Sequence, residues 1–163
     1  MTEKTAEENE IVREIKHFIR KNVLESEIPR ARRIFILIDK RAFGKAIRHL
    51  TKKMEFTHVS TITGVDVGKE IEVIYHLNRG GKTELSLKVR VAKDKPVLPT
   101  ITDLIPGATL YEREVHDLLG VTFEKHQDLS PIILPEGWPP DVYPLRKKWT
   151  TKKIREKVTR EVK

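Results

Sequence analysis

Apolar residues recur first at helical spacing, then in twos, then at helical spacing again, and this sequence of periods lays out the chain. Residues 1–5 are polar. Ile11, Ile15, Phe18 and Ile19, with Val12 beside them, predict an amphipathic helix over roughly 6–24, and Pro29 closes the linker that follows. Ile34-Phe-Ile-Leu-Ile38 is a short, β-rich run expected to form a strand buried on both faces. Phe43, Ile47, Leu50 and Met54 return to helical spacing over 41–54. From Phe56 to Val91 the period is two, broken at Gly68-Lys69 and at Asn78-Arg79-Gly80-Gly81, so three hairpin-connected strands are expected. Pro96 and Pro99 end this meander, and Thr100 to Asp103 can open a short helical turn before Pro106-Gly107. These elements predict one α+β domain, with a mainly antiparallel or mixed sheet flanked by helices.

The third helical stretch starts near Ala108. Tyr111, Val115, Leu118 and Leu119 share one face, while Glu112, Arg113, Glu114, His116 and Asp117 lie off it. Gly120 stands where a helix uses a residue tolerant of the left-handed conformation. After Phe123 the periodicity stops. A long proline-rich run with two tryptophans leads to a basic tail, so the chain divides into an α+β domain at 1–123 and an extended, irregular segment at 124–163. A run this long without regular structure is usually functional or disordered. Its large apolar side chains suit it to lie along a surface, its own or a partner's.

Charge sharpens this division. The chain has a formal net charge of +8. Residues 101–143 hold eight acidic and two basic side chains, whereas 31–56 hold eight basic and two acidic, and 144–163 nine basic and two acidic. An acidic block between two basic ones suits docking on charged protein surfaces. No apolar run approaches the ~20 residues of a membrane helix, and the Glu-rich start does not read as a secretory signal. There are no cysteines, which excludes disulfides and cysteine-ligated iron–sulfur clusters held by this chain alone. The Lys and Glu content leans toward a heat-adapted source.

Candidate chemistry concentrates between residues 112 and 149. His116-Asp117, His126 and Asp128 can be read as metal ligands, and Glu112 with His116, four apart, as an acid–base pair. The competing reading makes Glu112, Arg113, Glu114 and Asp117 a network of ion pairs and hydrogen bonds fixing the helix and the chain after it, with Arg113 and Asp117 an i, i+4 pair. Phe123 reads as core. Trp138, Tyr143 and Trp149 read equally as internal packing or as partner anchors. Gly80-Gly81 is a hairpin turn, and no phosphate-binding glycine motif appears. The basic pI of 9.7 admits nucleic-acid binding, although no such motif accompanies it and residues 101–143 are acidic.

The ordered string Glu112-Arg113-Glu114-x-x-Asp117-x-x-Gly120-x-x-Phe123-x-x-His126-x-Asp128-Leu129, followed by Leu134, Trp138 and Pro144-Leu145-Arg146-Lys147, resembles the signature of the 30 kDa subunit family of respiratory complex I. That family includes the corresponding subunits of membrane-bound, energy-converting [NiFe] hydrogenases. Gly64-Val65-Asp66 and Tyr75-His76-Leu77 resemble its usual sheet positions, and the likeness extends over roughly residues 33–149. Lys125 and Gln127, Ser130-Pro131, Pro139 to Val142 and Lys148 depart from the usual pattern, and with them the resemblance leans toward the hydrogenase branch.

The resemblance implies a non-catalytic scaffold on the cytoplasmic face of the cell membrane, in the peripheral arm of an ion-translocating redox complex. Its partners would be the large subunit (49 kDa-like, or hydrogenase large) and a small iron–sulfur subunit, with no direct small-molecule substrate and no nucleic acid. This chain would hold no cofactor, and the nickel–iron site and iron–sulfur clusters would belong to those partners. Glu112, Arg113, Glu114, Asp117, Gly120, Phe123, His126, Asp128, Trp138, Tyr143, Pro144, Leu145, Arg146, Lys147 and Trp149 would form the docking face. The likeness also moves Arg146, Lys147 and Lys148 from a solvated basic turn toward contact with an acidic neighbour. A quinone- or sulfur-linked relative is the alternative within the family, and a basic nucleic-acid-binding module the alternative outside it.

Overall fold

The computed structural model describes residues 5–161, so the polar lead at 1–4 and the last two residues of the basic tail lie outside the description. Helix α1 (Ala6–Ile19) buries Ile11, Val12, Ile15 and Ile19. It ends five residues earlier than its periodicity predicts. Arg20 leaves the helical region with φ 49°, and the Asn22 side-chain amide donates to the Ile19 carbonyl at 2.9 Å, closing the last turn. The chain then forms a strand where a linker was expected. Strand β1 (Val23–Arg30) pairs antiparallel with β2 (Arg33–Ile38), with register shifts between Val23 and Glu25 and between Glu27 and Arg30. Pro29 falls inside the second shift, a place where an edge strand tolerates proline.

Helix α2 (Phe43–Lys52) follows, then β3 (His58–Asp66), β4 (Glu70–Arg79) and β5 (Thr83–Ala92). The five-stranded sheet has the order β1-β2-β5-β4-β3. The β2–β5 pair is parallel and the other pairs are antiparallel, which makes the sheet mixed. The three-strand meander lies at the expected positions because its alternation and turn residues agree with each other. Every second residue of β2, β4 and β5 is buried, with Ile34, Ile36, Val73, Tyr75, Leu85, Leu87 and Val89 at 0–1 % exposure.

Helices α2 and α3 (Thr109–Leu119) pack on one sheet face. Phe43 of α2 meets Tyr75 at 4.9 Å between ring centroids, and α3 reaches Gly64, the position two along from Ile62 on that face. Helix α1 adds to this layer, its Phe18 stacked on His49 of α2 at 3.8 Å. The opposite face is ionic and aromatic, with Arg90 bonded to Glu72 at 2.8 Å and Lys88 over the Phe35 ring at 4.9 Å.

Gly64 is what lets α3 approach. A Cβ there would lie 2.2 Å from Leu119 Cδ1 and 3.3 Å from Val115 Cγ1. Both neighbours are buried, so overpacking costs on the order of 2 kcal/mol. Gly64→Ala is therefore expected to lower the melting temperature by roughly 4–8 °C for a domain of this size. An unchanged melting curve would show that α3 has slack against the sheet.

Two short parallel strands, β6 (Val97–Pro99) and β7 (Thr122–Glu124), pair on either side of α3 in sequence and fix both of its ends. Beyond β7, residues 125–150 form no helix or strand. The last stretch differs from the irregular tail expected: Thr151–Glu161 is helix α4. The Thr150 hydroxyl and carbonyl accept from Lys153 and Ile154 at its start, and its Lys, Arg and Glu residues favour helix.

Candidate functional site

The sequence between residues 99 and 149 folds around α3. A turn at Pro106–Ala108 leads into the helix, and Gly120 ends it at φ 69° with its N–H on the His116 carbonyl at 2.7 Å. Glycine is required at this position twice over. The left-handed conformation disfavours other residues, and an added Cβ would sit 2.5 Å from the Tyr143 ring.

Glu112 lies off the apolar stripe and is nevertheless fully buried. Its Oε1 accepts from the Ile101 N–H at 2.9 Å and its Oε2 from the Thr100 hydroxyl at 2.5 Å, so it ties the chain entering α3 to the helix. Burial pushes its carboxyl up to about 7, against those two hydrogen bonds, with Asp103 adding to the rise. The Tyr75 hydroxyl is buried close by without a hydrogen-bond partner among the described residues. Burial, reinforced by the charge of Glu112, holds this phenol protonated.

The next turn of α3 ties down the proline-rich segment. Arg113 donates from Nε to the Ser130 carbonyl at 3.0 Å, and from Nη2 to the Ser130 hydroxyl at 2.9 Å and the Pro131 carbonyl at 3.1 Å. Asp128 caps this turn through the Ser130 N–H at 2.8 Å and lies 3.8 Å from Arg113. Asp117 is buried, and its Oδ2 accepts three consecutive N–H groups, from Ile132 at 3.2 Å and from Ile133 and Leu134 at 2.8 Å. The expected Arg113–Asp117 pair is therefore not formed. Both side chains reach past each other to backbone groups of the loop, a better use of charge than a helix-surface pair worth a few tenths of a kcal/mol.

The end of the segment returns to the C-terminus of α3. Leu145 N–H and Arg146 Nε donate to the carbonyls of Leu118 and Leu119 at 3.1 and 2.7 Å, two of the groups a helix end leaves open. Arg146 also stacks over the Tyr143 ring at 4.4 Å. Lys147 N–H donates to Asp66 Oδ2 at 2.8 Å. Burial alone would raise the Asp66 carboxyl, but Lys93 and the N–H groups of Gly68 and Lys147 hold it at about 2. Sequence reasoning placed Asp66 in a strand and missed this role, which depends on a partner 81 residues away.

Of the remaining candidates, Phe123 is core at 1 % exposure. Trp138 donates its indole N–H to the Val142 carbonyl at 2.7 Å, turning the prolines around a buried valine. Trp149 buries its Nε1 without a partner among the described residues and carries Lys148 over its ring at 5.3 Å. Pro144 is half-buried and Leu145 is 55 % exposed. Glu114 stays exposed and joins no hydrogen bond or ion pair among the described residues.

The residues read as metal ligands are occupied with structural work. His116 Nδ1 donates to the Val121 carbonyl at 2.9 Å, and His126 Nε2 to the Thr109 carbonyl at 3.2 Å. His126 Nδ1 in turn accepts from the Asp128 N–H at 3.2 Å. Among the described residues no group of three or more His, Cys, Asp or Glu side chains is arranged to hold a metal ion. Glu112 and His116 bond to different partners and form no acid–base pair. No helix among the described residues is long and apolar enough to cross a membrane.

This arrangement has relatives. The chain is 30% identical over 128 residues to a subunit of the F420H2 dehydrogenase of Methanosarcina mazei, covering 77% of this chain and 80% of that one. It is 38% identical over 99 residues to a subunit of the NADH-quinone oxidoreductase of a Roseiflexus species, covering 58% of this chain and 56%, about half, of that one. Its fold matches a chain in the solved structure of the membrane-bound sulfane sulfur reductase, an archaeal respiratory membrane complex. There the TM-score is 0.79 and the identity 30%, over 93% of this chain and 90% of that chain. The model of the respiratory-chain NADH dehydrogenase 30 Kd subunit matches residues 36–155. That match spans α2, the whole meander, α3 and the segment anchored to it, and the chain belongs to the family of the respiratory-chain NADH dehydrogenase 30 Kd subunit.

Proposed function

We propose that this chain is the 30 kDa-type subunit of a complex I-like membrane complex, a scaffold without a catalytic site of its own. It docks through residues 112–149 on a large subunit and a small iron–sulfur subunit at the cytoplasmic face of the membrane. Family membership supports the type of complex. The observation that carries the docking role is the way α3 spends its charged side chains. Arg113 and Asp117 hold residues 130–134 in a fixed shape, and the same segment leaves Ile133 and Leu145 more than half exposed. A pre-shaped segment with outward apolar side chains loses little conformational entropy on binding and offers anchors to a partner.

Within that reading, the motif departures favour a ferredoxin-linked, hydrogen-evolving [NiFe] hydrogenase. The likeness to a chain of the sulfane sulfur reductase, over 93% of this chain, favours a sulfur-linked relative as the second reading. The two differ in the partners' metals, so one preparation separates them. Tagged chain recovered from gently solubilised membranes is expected with a large subunit and iron–sulfur proteins in stoichiometric amounts. Nickel in that preparation selects the hydrogenase, and its absence the sulfur- or quinone-linked relative. Recovery of the chain alone, or with nucleic acid, overturns the assignment.

A further inference from the structure

We infer that the cleft between α3 and the proline-rich segment receives one arginine or lysine side chain of a partner subunit, with Asp117 as its counter-charge. The cleft encloses about 230 Å³, and Asp117, His116, Leu134, Trp138, Pro139 and Tyr143 are among the residues that line it. That volume is below the ~300–1,000 Å³ of small-molecule sites and suits a single long side chain.

Three observations select the occupant's chemistry. Asp117 is 7 % exposed, and all three of its hydrogen bonds fall on Oδ2. Among the described residues its Oδ1 accepts none, so one oxygen of this largely buried carboxylate is open to a donor from outside the chain. His116 lines the cleft with its Nδ1–H committed to the Val121 carbonyl, so that nitrogen offers no competing donor. Trp138 is locked by its bond to Val142, and Tyr143 by its seat on Gly120. The Tyr143 ring already carries Arg146 over it at 4.4 Å, so Trp138 is the rigid aromatic wall left to a cation.

An apolar side chain inserted here would strand Asp117 Oδ1, and an anion would meet the charge of Asp117 directly. A guanidinium or ammonium group satisfies the oxygen, and its aliphatic stem lies against Leu134 and the prolines. The lining residues all fall within 101–143, whose net charge of −6 favours a cation, with Arg146 over the Tyr143 ring an opposing charge. The identity of the partner, though not the chemistry of the cleft, rests on the proposed assembly.

The test uses the full chain, isotopically labelled, titrated with N-acetyl-arginine amide and, separately, with its neutral analogue N-acetyl-citrulline amide. The arginine probe is expected to shift the Trp138 indole resonance and the amides of Ile132 to Leu134, with the citrulline probe at least tenfold weaker. Asp117→Asn keeps an oxygen for the three N–H groups but turns the free position into a donor, so arginine binding is expected to fall at least tenfold. Trp138→Leu, which leaves the Asp117 contacts in place, is expected to weaken it several-fold. Equal response to both probes, or no response up to the solubility of the arginine probe, overturns the inference. So does self-association of the chain that Asp117→Asn abolishes, because the occupant is then a second copy. Probe binding without co-purifying subunits would keep the cleft and discard the assembly, and co-purification without probe binding would do the reverse.

Discussion

Asp117→Ala is expected to detach the proline-rich segment from α3 while the sheet domain stays folded. The carboxylate gathers the N–H groups of Ile132, Ile133 and Leu134 on one oxygen, and alanine offers these donors nothing in its place. Hydrogen bonds to a charged group contribute ~1.5–3 kcal/mol each, and three that share an atom are not additive. A local loss of about 3 kcal/mol is the expected scale, equivalent to roughly 100-fold faster amide exchange at 132–134. The sheet should notice little, because its core is the continuous apolar cluster beneath α1, α2 and α3. Hydrogen-exchange mass spectrometry reads both effects in one experiment. Unchanged exchange at 132–134, or collapse of protection in β4 and β5, would each refute this division between anchor and core.

Glu112 has the second large effect, and it is read through pH. Its folded-state value of about 7 lies above the ordinary 4.5 because burial disfavours the charged form. Between those two values the unfolded chain has released this proton while the folded chain still holds it. The contribution of Glu112 to stability is therefore full below about 4.5 and is lost as pH rises toward 7, levelling off above that. The total is on the order of 3 kcal/mol. Glu112→Gln removes the slope while keeping an acceptor for the Ile101 N–H.

Other groups act in different windows or with the opposite sign. Asp66 and Asp39, both held at about 2, contribute stability that disappears only in acid, below their ordinary 3.8. His76 is lowered from 6.5 by burial and then by Arg33 and Lys88, so it favours the folded state as pH rises through that range. The difference between wild type and Glu112→Gln, measured by urea unfolding from about pH 4.5 to 7.5, reads the carboxyl together with its buried neighbour His126, whose Nε2 lies 3.9 Å from Glu112 Oε2. Parallel stability curves would mean that Glu112 titrates in the folded protein as it does in the unfolded chain.

What could be read from the sequence and what could not follow the range of the interactions. The meander β3–β4–β5 was legible because its alternation and its glycine turns are local. The C-cap at Gly120 was legible for the same reason. Strand β1 was not: Val23 to Arg30 alternates weakly, contains Pro29, and becomes a strand only because β2 offers it an edge. The α3 stripe predicted Val115 and Leu119 as buried but left out Glu112 and Asp117, which are buried because distant backbone N–H groups satisfy them. Helical geometry suggested that Arg113 would pair with Asp117, whereas folding gave each a partner beyond residue 127. The role of Asp66, bonded to Lys147, has no local signal at all. The motif string found the right segment, and only the tertiary structure shows that its charged members mostly bind backbone.

The central claim is that the anchored segment, and not the outer sheet face, meets the partner subunits. The most direct measurement compares hydrogen exchange and lysine labelling of the free chain with those of the chain in its purified complex. The account predicts added protection at Ile132 to Leu134 and at Leu145 to Trp149, with Lys147 and Lys148 shielded from labelling. Protection confined to the face that carries Phe35 and Lys88, with residues 130–149 as open in the complex as in the free chain, would contradict it.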